Sequence, residues 1–276
     1  MIKGDTKMKH LLVLPLLLLS LVVGNSASAA DFQKGEEAYK RGDYATVLRE
    51  WKPLAEQGRA DVQNNLGVMF DKGQGVSQDY KAAVKWYTLA AEQGYGMAQY
   101  NLGMIYYNGQ GVTQDYKAAI KWYTLAAEQG VAPAQINLGV MYYNGQGVTQ
   151  DYKAAVKWFT LAAEQGNASA QYNLGLRYYN GQGVTQDYKA ALKWYTLAAE
   201  QGVIPAQNNL GLMLYNGNGT LQDYSHAHMW LNIASSQGYE NARKNRDIVE
   251  TKMTAIQLET AQRLARECVA MKYKGC

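Results

Sequence analysis

Between residues 59 and 238 the apolar positions recur with two periods at once. Over short stretches the spacing is helical. Ala98, Leu102, Ile105 and Tyr106 form one stripe, which predicts a helix over roughly 97–107. Ala119, Trp122, Tyr123, Ala126 and Ala127 form a second, broader one, opposed by a polar stripe of Lys117, Lys121, Thr124 and Glu128. This second helix should run from an N-cap at Asp115 to about Gln129, buried on more than one side. Asn108-Gly109 and Gly130 supply the stops, and Pro133 and Pro205 fall where a first helical turn tolerates proline.

The longer period is 36 residues. Trp86, Trp122, Trp158, Trp194 and Trp230 keep it, as do Gly67, Gly103, Gly139, Gly175 and Gly211. A Gln-Gly pair closes every unit, and Gly-Gln-Gly-Val-Thr-Gln-Asp-Tyr-Lys-Ala-Ala occurs at 109–119, 145–155 and 181–191. Five helix–turn–helix units follow, 59–94, 95–130, 131–166, 167–202 and 203–238. The glycine inside each first helix costs about 1 kcal/mol relative to alanine. Close approach of the second helix is the expected compensation, with Ala119 facing Gly103.

The run Ala-Gln-x-Asn-Leu-Gly-x-x-Tyr, Gly-x-Gly-Val-x-Gln-Asp-Tyr, Ala-x-x-Trp-Tyr-x-x-Ala-Ala-Glu-Gln-Gly resembles the Sel-one-like repeat family, a longer-unit relative of the tetratricopeptide repeat. The resemblance covers 59–238 almost without gaps. It implies an all-α fold, an α/α solenoid with a right-handed superhelical twist, acting as a scaffold for protein interaction.

Both ends depart from the repeat. Residues 31–58 lack the Gly-x-Gly loop and turn tightly at Lys40-Arg-Gly42-Asp-Tyr44, more like an ordinary tetratricopeptide unit; Trp51 precedes Trp86 by 35 residues rather than 36. Residues 239–276 offer a polar helix near Glu240–Glu250 and another from Thr254, with Gln257 completing a capping box. We read both as the polar caps that solenoids need. Residues 1–30 read as a cleavable leader: Lys3, Lys7 and Lys9, an apolar stretch from Leu11 to Val23, and small residues through Ala30. The stretch is too short for the ~20 residues that span a bilayer. The mature chain is therefore expected to be periplasmic or secreted, with no membrane contact after cleavage. In such a compartment Cys268 and Cys276 would by default form a disulfide, free or intermolecular thiols being the alternative.

Composition narrows the chemistry. A hydrophobic fraction of 47% is too high for a disordered chain, and the net charge of +4 falls to +2 without Lys3, Lys7, Lys9 and Asp5. No basic face for nucleic acid is expected. Two cysteines and three histidines leave little for a metal centre, and His226 and His228, two apart, point to different sides of a helix, which suits surface or packing roles. The Gly-x-Gly loops follow no strand and lack the Gly-Lys-Ser/Thr ending of a phosphate loop. No nucleophile–base pair stands out, so no catalytic residue, metal or cofactor is expected. The competing reading is a β-lactam-binding or β-lactam-hydrolysing cell-wall enzyme, after cysteine-rich relatives of the family. The sequence has neither their paired cysteines in each unit nor a Ser-x-x-Lys.

The partner is then expected to be a protein or extended peptide, held in the inner groove. If Leu102, Gly103 and Tyr106 pack the two helices together, positions 100, 101, 104, 107 and 108 turn the other way. Down the units this gives Tyr107, Tyr143, Tyr179 and Tyr215; Asn101, Asn137, Asn173 and Asn209; and a column of Tyr100, Ile136, Tyr172 and Asn208. Tyrosine offers apolar area with a hydroxyl, and asparagine both donates to and accepts from a peptide backbone. The alternative is that these tyrosines pack between neighbouring helices and the asparagines bond across them.

Overall fold

The structure, a computed structural model, describes residues 30–276. The expected leader lies outside the described residues except for Ala30. Fourteen helices follow one another, with no strand among the described residues. The N-terminal pair is α1 (Phe32–Arg41) and α2 (Tyr44–Glu56). Five pairs follow: α3 (Ala60–Lys72) with α4 (Tyr80–Glu92), α5 (Gly96–Asn108) with α6 (Tyr116–Glu128), and α7 (Ala132–Asn144) with α8 (Tyr152–Glu164). The last two are α9 (Ala168–Asn180) with α10 (Tyr188–Ala199), and α11 (Ile204–Asn216) with α12 (Tyr224–Ser236). The chain ends with α13 (Glu240–Glu250) and α14 (Ala255–Ala270). Each helix packs on its partner, and the second of each pair packs on the first of the next, which is an all-α solenoid.

The repeated loop residues each do one job. Gly109 ends α5 at φ 71°, a backbone conformation that suits glycine, and its N–H bonds the Ile105 carbonyl. Gln114 donates from its side chain to the Tyr107 carbonyl at 2.8 Å, satisfying another orphan acceptor of that helix end. Asp115 then caps α6, accepting from the N–H groups of Lys117 and Ala118. Gly111 has φ 73°, and a Cβ there would lie 2.7 Å from the backbone of Tyr80 in the preceding unit. The Gly-x-Gly loop is therefore a seat for the start of the previous unit's second helix.

The glycine inside α5 is explained by close approach, though of a different partner from the one expected. A Cβ on Gly103 would stand 2.6 Å from the ring of Tyr123, so the tyrosine ring rather than Ala119 occupies the space. Phe159 does the same at Gly139, Tyr195 at Gly175 and Leu231 at Gly211. Trp51 faces Gly35 in the N-terminal pair. Trp51 thus stands in the column of Tyr87 and Tyr123, not in the Trp86 column, and the turn at Gly42 is shorter than the later loops, so that Trp51 follows Gly35 by 16 residues where Tyr87 follows Gly67 by 20. Trp51 precedes Tyr87 by the full 36 residues, so the change of column alone accounts for the broken tryptophan spacing.

A buried chain of amides joins the units. The Gln99 side chain donates to the Ala91 carbonyl of the previous unit at 3.1 Å and accepts from Gln129 of its own unit at 2.7 Å. The same two bonds recur at Gln63 and Gln93, Gln135 and Gln165, Gln171 and Gln201, and Gln207 and Gln237. Each places a second donor on a helix C-terminal carbonyl that already accepts the N–H of the glycine ending its unit, as Gly94 does at Ala91.

At the C-terminus α14, opened by the Thr254–Gln257 capping box, does not pair with α13; it folds back onto α12. Ala265 and Cys268 are its buried contacts there. Cys268 and Cys276 are paired, their Cα atoms 5.5 Å apart. The tail they close lies against the preceding unit, with Tyr273 beside Gly202 and the Gly275 N–H donating to Glu200.

Candidate functional site

The tyrosine column of the first helices is half-buried, and each ring rests on the first tyrosine of the next helix. Tyr107 lies 5.2 Å from Tyr116, Tyr143 5.2 Å from Tyr152, Tyr179 5.3 Å from Tyr188 and Tyr215 5.7 Å from Tyr224. The Tyr107 hydroxyl also reaches Gln146 of the next loop at 3.4 Å. These residues therefore carry packing while keeping one face partly open.

The asparagines divide. Asn101 donates to Asn64 across neighbouring first helices at 2.9 Å, and Asn245 does the same to Asn208. Asn137 sits against the hydroxyls of Tyr100 and Tyr123, and Asn209 against those of Tyr172 and Tyr195. Burial holds these four hydroxyls above the usual tyrosine value, so they remain neutral donors. Asn173 bonds back to the Ser169 carbonyl of its own helix. Ile136 is a half-buried apolar residue in the column of Tyr100 and Tyr172.

Two of the expected residues meet at a hollow of about 200 Å³ between α9 and α11. Its walls are Leu176, Tyr179, Asn180, Asn209 and Leu212, and its floor is Tyr195. A second hollow, about 390 Å³, opens between α1 and α3, lined by Glu36, Tyr39, Lys40, Trp51, Asn65 and Val68 among others. Allowing for the shorter first turn, these six residues occupy the same places in the repeat as Leu176, Tyr179, Asn180, Tyr195, Asn209 and Leu212. Each hollow combines an aromatic floor with a wall tyrosine and at least one asparagine, so it can take an apolar side chain while its rim bonds a main chain.

One unit breaks the pattern inside this face. Arg177 is buried where the other units carry Met69, Ile105, Met141 and Met213. Its guanidinium stacks on the Tyr143 ring at 3.9 Å, with Nε and Nη1 unpaired. The hydrogen bond from Arg177 pulls the Tyr143 hydroxyl below its ordinary value. Sequence reasoning passed over Arg177. Aligning the five units column by column would have exposed it as the lone cation in an apolar column.

His226 and His228 separate as expected. His226 Nδ1 lies 2.6 Å from the carboxylate of Asp223, the N-cap of its own helix, whereas His228 is buried beneath α14. Among the described residues no cluster of three or more His, Cys, Asp or Glu could hold a metal ion, and no helix is long and apolar enough to cross a membrane.

Comparison with known proteins fits this architecture. The Sel1 repeat profile matches residues 60–95, 96–131, 132–167, 168–203 and 204–239. A Sel1 repeat protein from Oxalobacter formigenes is 34% identical over 78% of this chain and 88% of its own, with a TM-score of 0.73. The protective antigen c5321 of uropathogenic Escherichia coli, which displays an SLR fold, is 29% identical over 87% of this chain and 69% of its own, with a TM-score of 0.43. No curated protein matches the chain. With five matched units and a 34% identical neighbour covering 78% of the chain, the chain belongs to the Sel1 repeat family.

Proposed function

We propose that this chain is an exported, non-enzymatic scaffold that binds an extended polypeptide along the face formed by its first helices. A Sel1 solenoid is a fold suited to protein–protein contact. The observation that carries the reading is the hollow at Tyr179 and Asn209, repeated at Tyr39 and Asn65. A ligand engaging several such places in a row needs alternating apolar side chains and a free main chain, as an extended segment presents. Export rests on the order of basic, apolar and small residues in 1–30.

The test is selection of peptides from a displayed library on the purified protein, followed by titration of the selected peptides against Leu176→Lys/Leu212→Lys. Both leucines are half-buried and line the hollow. Affinity should fall at least tenfold, over about 1.4 kcal/mol, with the melting temperature nearly kept. Failure to enrich any peptide, or undiminished affinity in the folded double variant, would reject this face as the binding surface. Detection of the intact Met1 on exported material would reject cleavage of the leader.

A further inference from the structure

Because α14 folds back onto α12 instead of pairing with α13, the two terminal helices splay apart and leave a cleft of about 490 Å³ between them. Asn232, Ile233 and Ser236 belong to its floor on α12, Arg246 and Glu250 to one wall, and Gln262, Arg266 and Val269 to the other. The remaining floor residue is His228, 3% exposed. In the other four units this column holds Val84, Ile120, Val156 and Leu192. An imidazole has thus replaced an aliphatic side chain at the one unit that opens into a cleft. Neither of its ring nitrogens has a hydrogen-bond partner. The nearest group, Glu250 Oε2, stands 3.5 Å from Nε2, too far for a good bond.

We propose that this cleft binds a small ligand bearing an oxyanion, a carboxylate or a phosphate, held by Arg266 and by His228 at its base. The charges favour an anion. Arg246 is engaged by Asp247 at 2.7 Å and by Asn232 at 3.2 Å, whereas Arg266 has no ion-pair partner among the described residues. Glu250 is the one carboxylate in the lining, set against two guanidinium groups. A bound anion supplies the counter-charge that Arg266 lacks and an acceptor for a ring N–H of His228. The volume suits a small molecule. A cation is disfavoured: Glu250 is the one anionic group in the lining, and both arginines would repel it.

Binding is coupled to a proton. Burial depresses the His228 pKa in the free protein, opposed by Glu250, with Arg246 lowering it and Asp247 raising it slightly. Arg266 on α14 also disfavours a second positive charge. A bound oxyanion reverses this balance and favours the imidazolium, so affinity rises as pH falls.

Isothermal titration of the purified protein with inorganic phosphate and, separately, with citrate decides the matter and tells the two oxyanion classes apart. One site should titrate with at least one probe, several-fold tighter at pH 6 than at pH 8. Arg266→Gln should weaken it at least tenfold. His228→Leu, which restores the aliphatic residue of the other units and so keeps the fold, should remove the pH dependence. No binding of either probe at millimolar concentration, or binding unchanged by both substitutions, overturns the proposal. So does a titration that ignores pH in the unsubstituted protein.

Discussion

Gln129 donates its side-chain amide to the side-chain carbonyl of Gln99 at 2.7 Å, and this bond fixes which way both amides point. Gln99 is 4% exposed, and its other end donates to the Ala91 carbonyl, a group that can only accept. The Gln99 oxygen is thereby left free to receive Gln129. Two adjoining units are locked through one buried residue.

Replacing the equivalent Gln135 by Leu removes one of the donors to the Ala127 carbonyl and one of the acceptors for Gln165. The loss should be about 1–2 kcal/mol, the net worth of two hydrogen bonds, since the Ala127 carbonyl keeps the Gly130 N–H and Gln165 keeps the Leu161 carbonyl. Urea unfolding measures it. An unchanged midpoint would show that water replaces the amide without cost.

Gly103→Ala should be destabilising although alanine is the better helix former. The gain in propensity is about 1 kcal/mol. Against it stands a Cβ 2.6 Å from the Tyr123 ring, an overpacking that costs typically about 1–3 kcal/mol. Pairing it with Tyr123→Ala, which takes away the ring that the Cβ would meet, should make the loss in the double variant smaller than the sum of the two single losses. Additive losses in the double variant would place the strain elsewhere.

Arg177→Met restores the residue that Met69, Met141 and Met213 supply in other units. Removal of a buried cation with no carboxylate partner should outweigh the lost stacking on Tyr143 and stabilise the protein by about 1 kcal/mol. The Tyr143 hydroxyl, now held below its usual value by Arg177, should titrate at higher pH. Spectrophotometric titration against Tyr143→Phe isolates that residue.

His228 sets a pH dependence of known sign. Burial holds its folded pKa below the ordinary histidine value of about 6.5, so the unfolded chain binds the extra proton first. In buffer free of phosphate and citrate, stability should fall as pH drops below about 6.5, and His228→Leu should flatten that slope. Denaturant midpoints at pH 7.5 and 5.5 provide the comparison; parallel slopes for the two proteins would exclude His228 as the cause.

Cys268→Ser with Cys276→Ser should cost about 2–3 kcal/mol, by chain entropy, in the terminal cap alone. The tail contacts of Tyr273 and of Gly275 with Glu200 should be lost while the central units stay folded. Hydrogen exchange resolves the two regions. Faster exchange in α5–α8 would show that the clasp acts globally, and labelling of both thiols in the folded, non-reduced protein would show that no clasp forms.

Local features were the legible part of this fold. Asp115, Gly109 and the Thr254–Gln257 pair announce helix ends because their chemistry acts within a few residues. The ring above Gly103 was not legible, because several apolar residues of α6 could have faced it and only the packing angle selects Tyr123. Gln99 reads as a polar surface residue until the neighbouring carbonyl is in view. The tyrosine column is legible as one recurring position of the first helices, but stacking on Tyr116, Tyr152, Tyr188 and Tyr224 depends on a loop path that periodicity does not encode. That His226 and His228 face different ways is legible from their spacing; that His228 is covered follows from α14 turning back, a long-range event.

The amide chain also gives the array a direction, in the sense that a growing polymer has one. Every unit offers an acceptor to its successor and brings a glutamine to its predecessor, so a copied 36-residue segment arrives with both ends of the joint already matched. Propagation then requires no invention at the seam, and the reach of the binding face can change in whole-unit steps. Termination is written just as simply. The next acceptor would be Ser235 and the next donor residue 243, but that position carries Arg243, which turns to Glu240 on its own helix. With that one exchange the chain end no longer takes hold of the unit before it in the same way, and α14 is free to close the stack from the side.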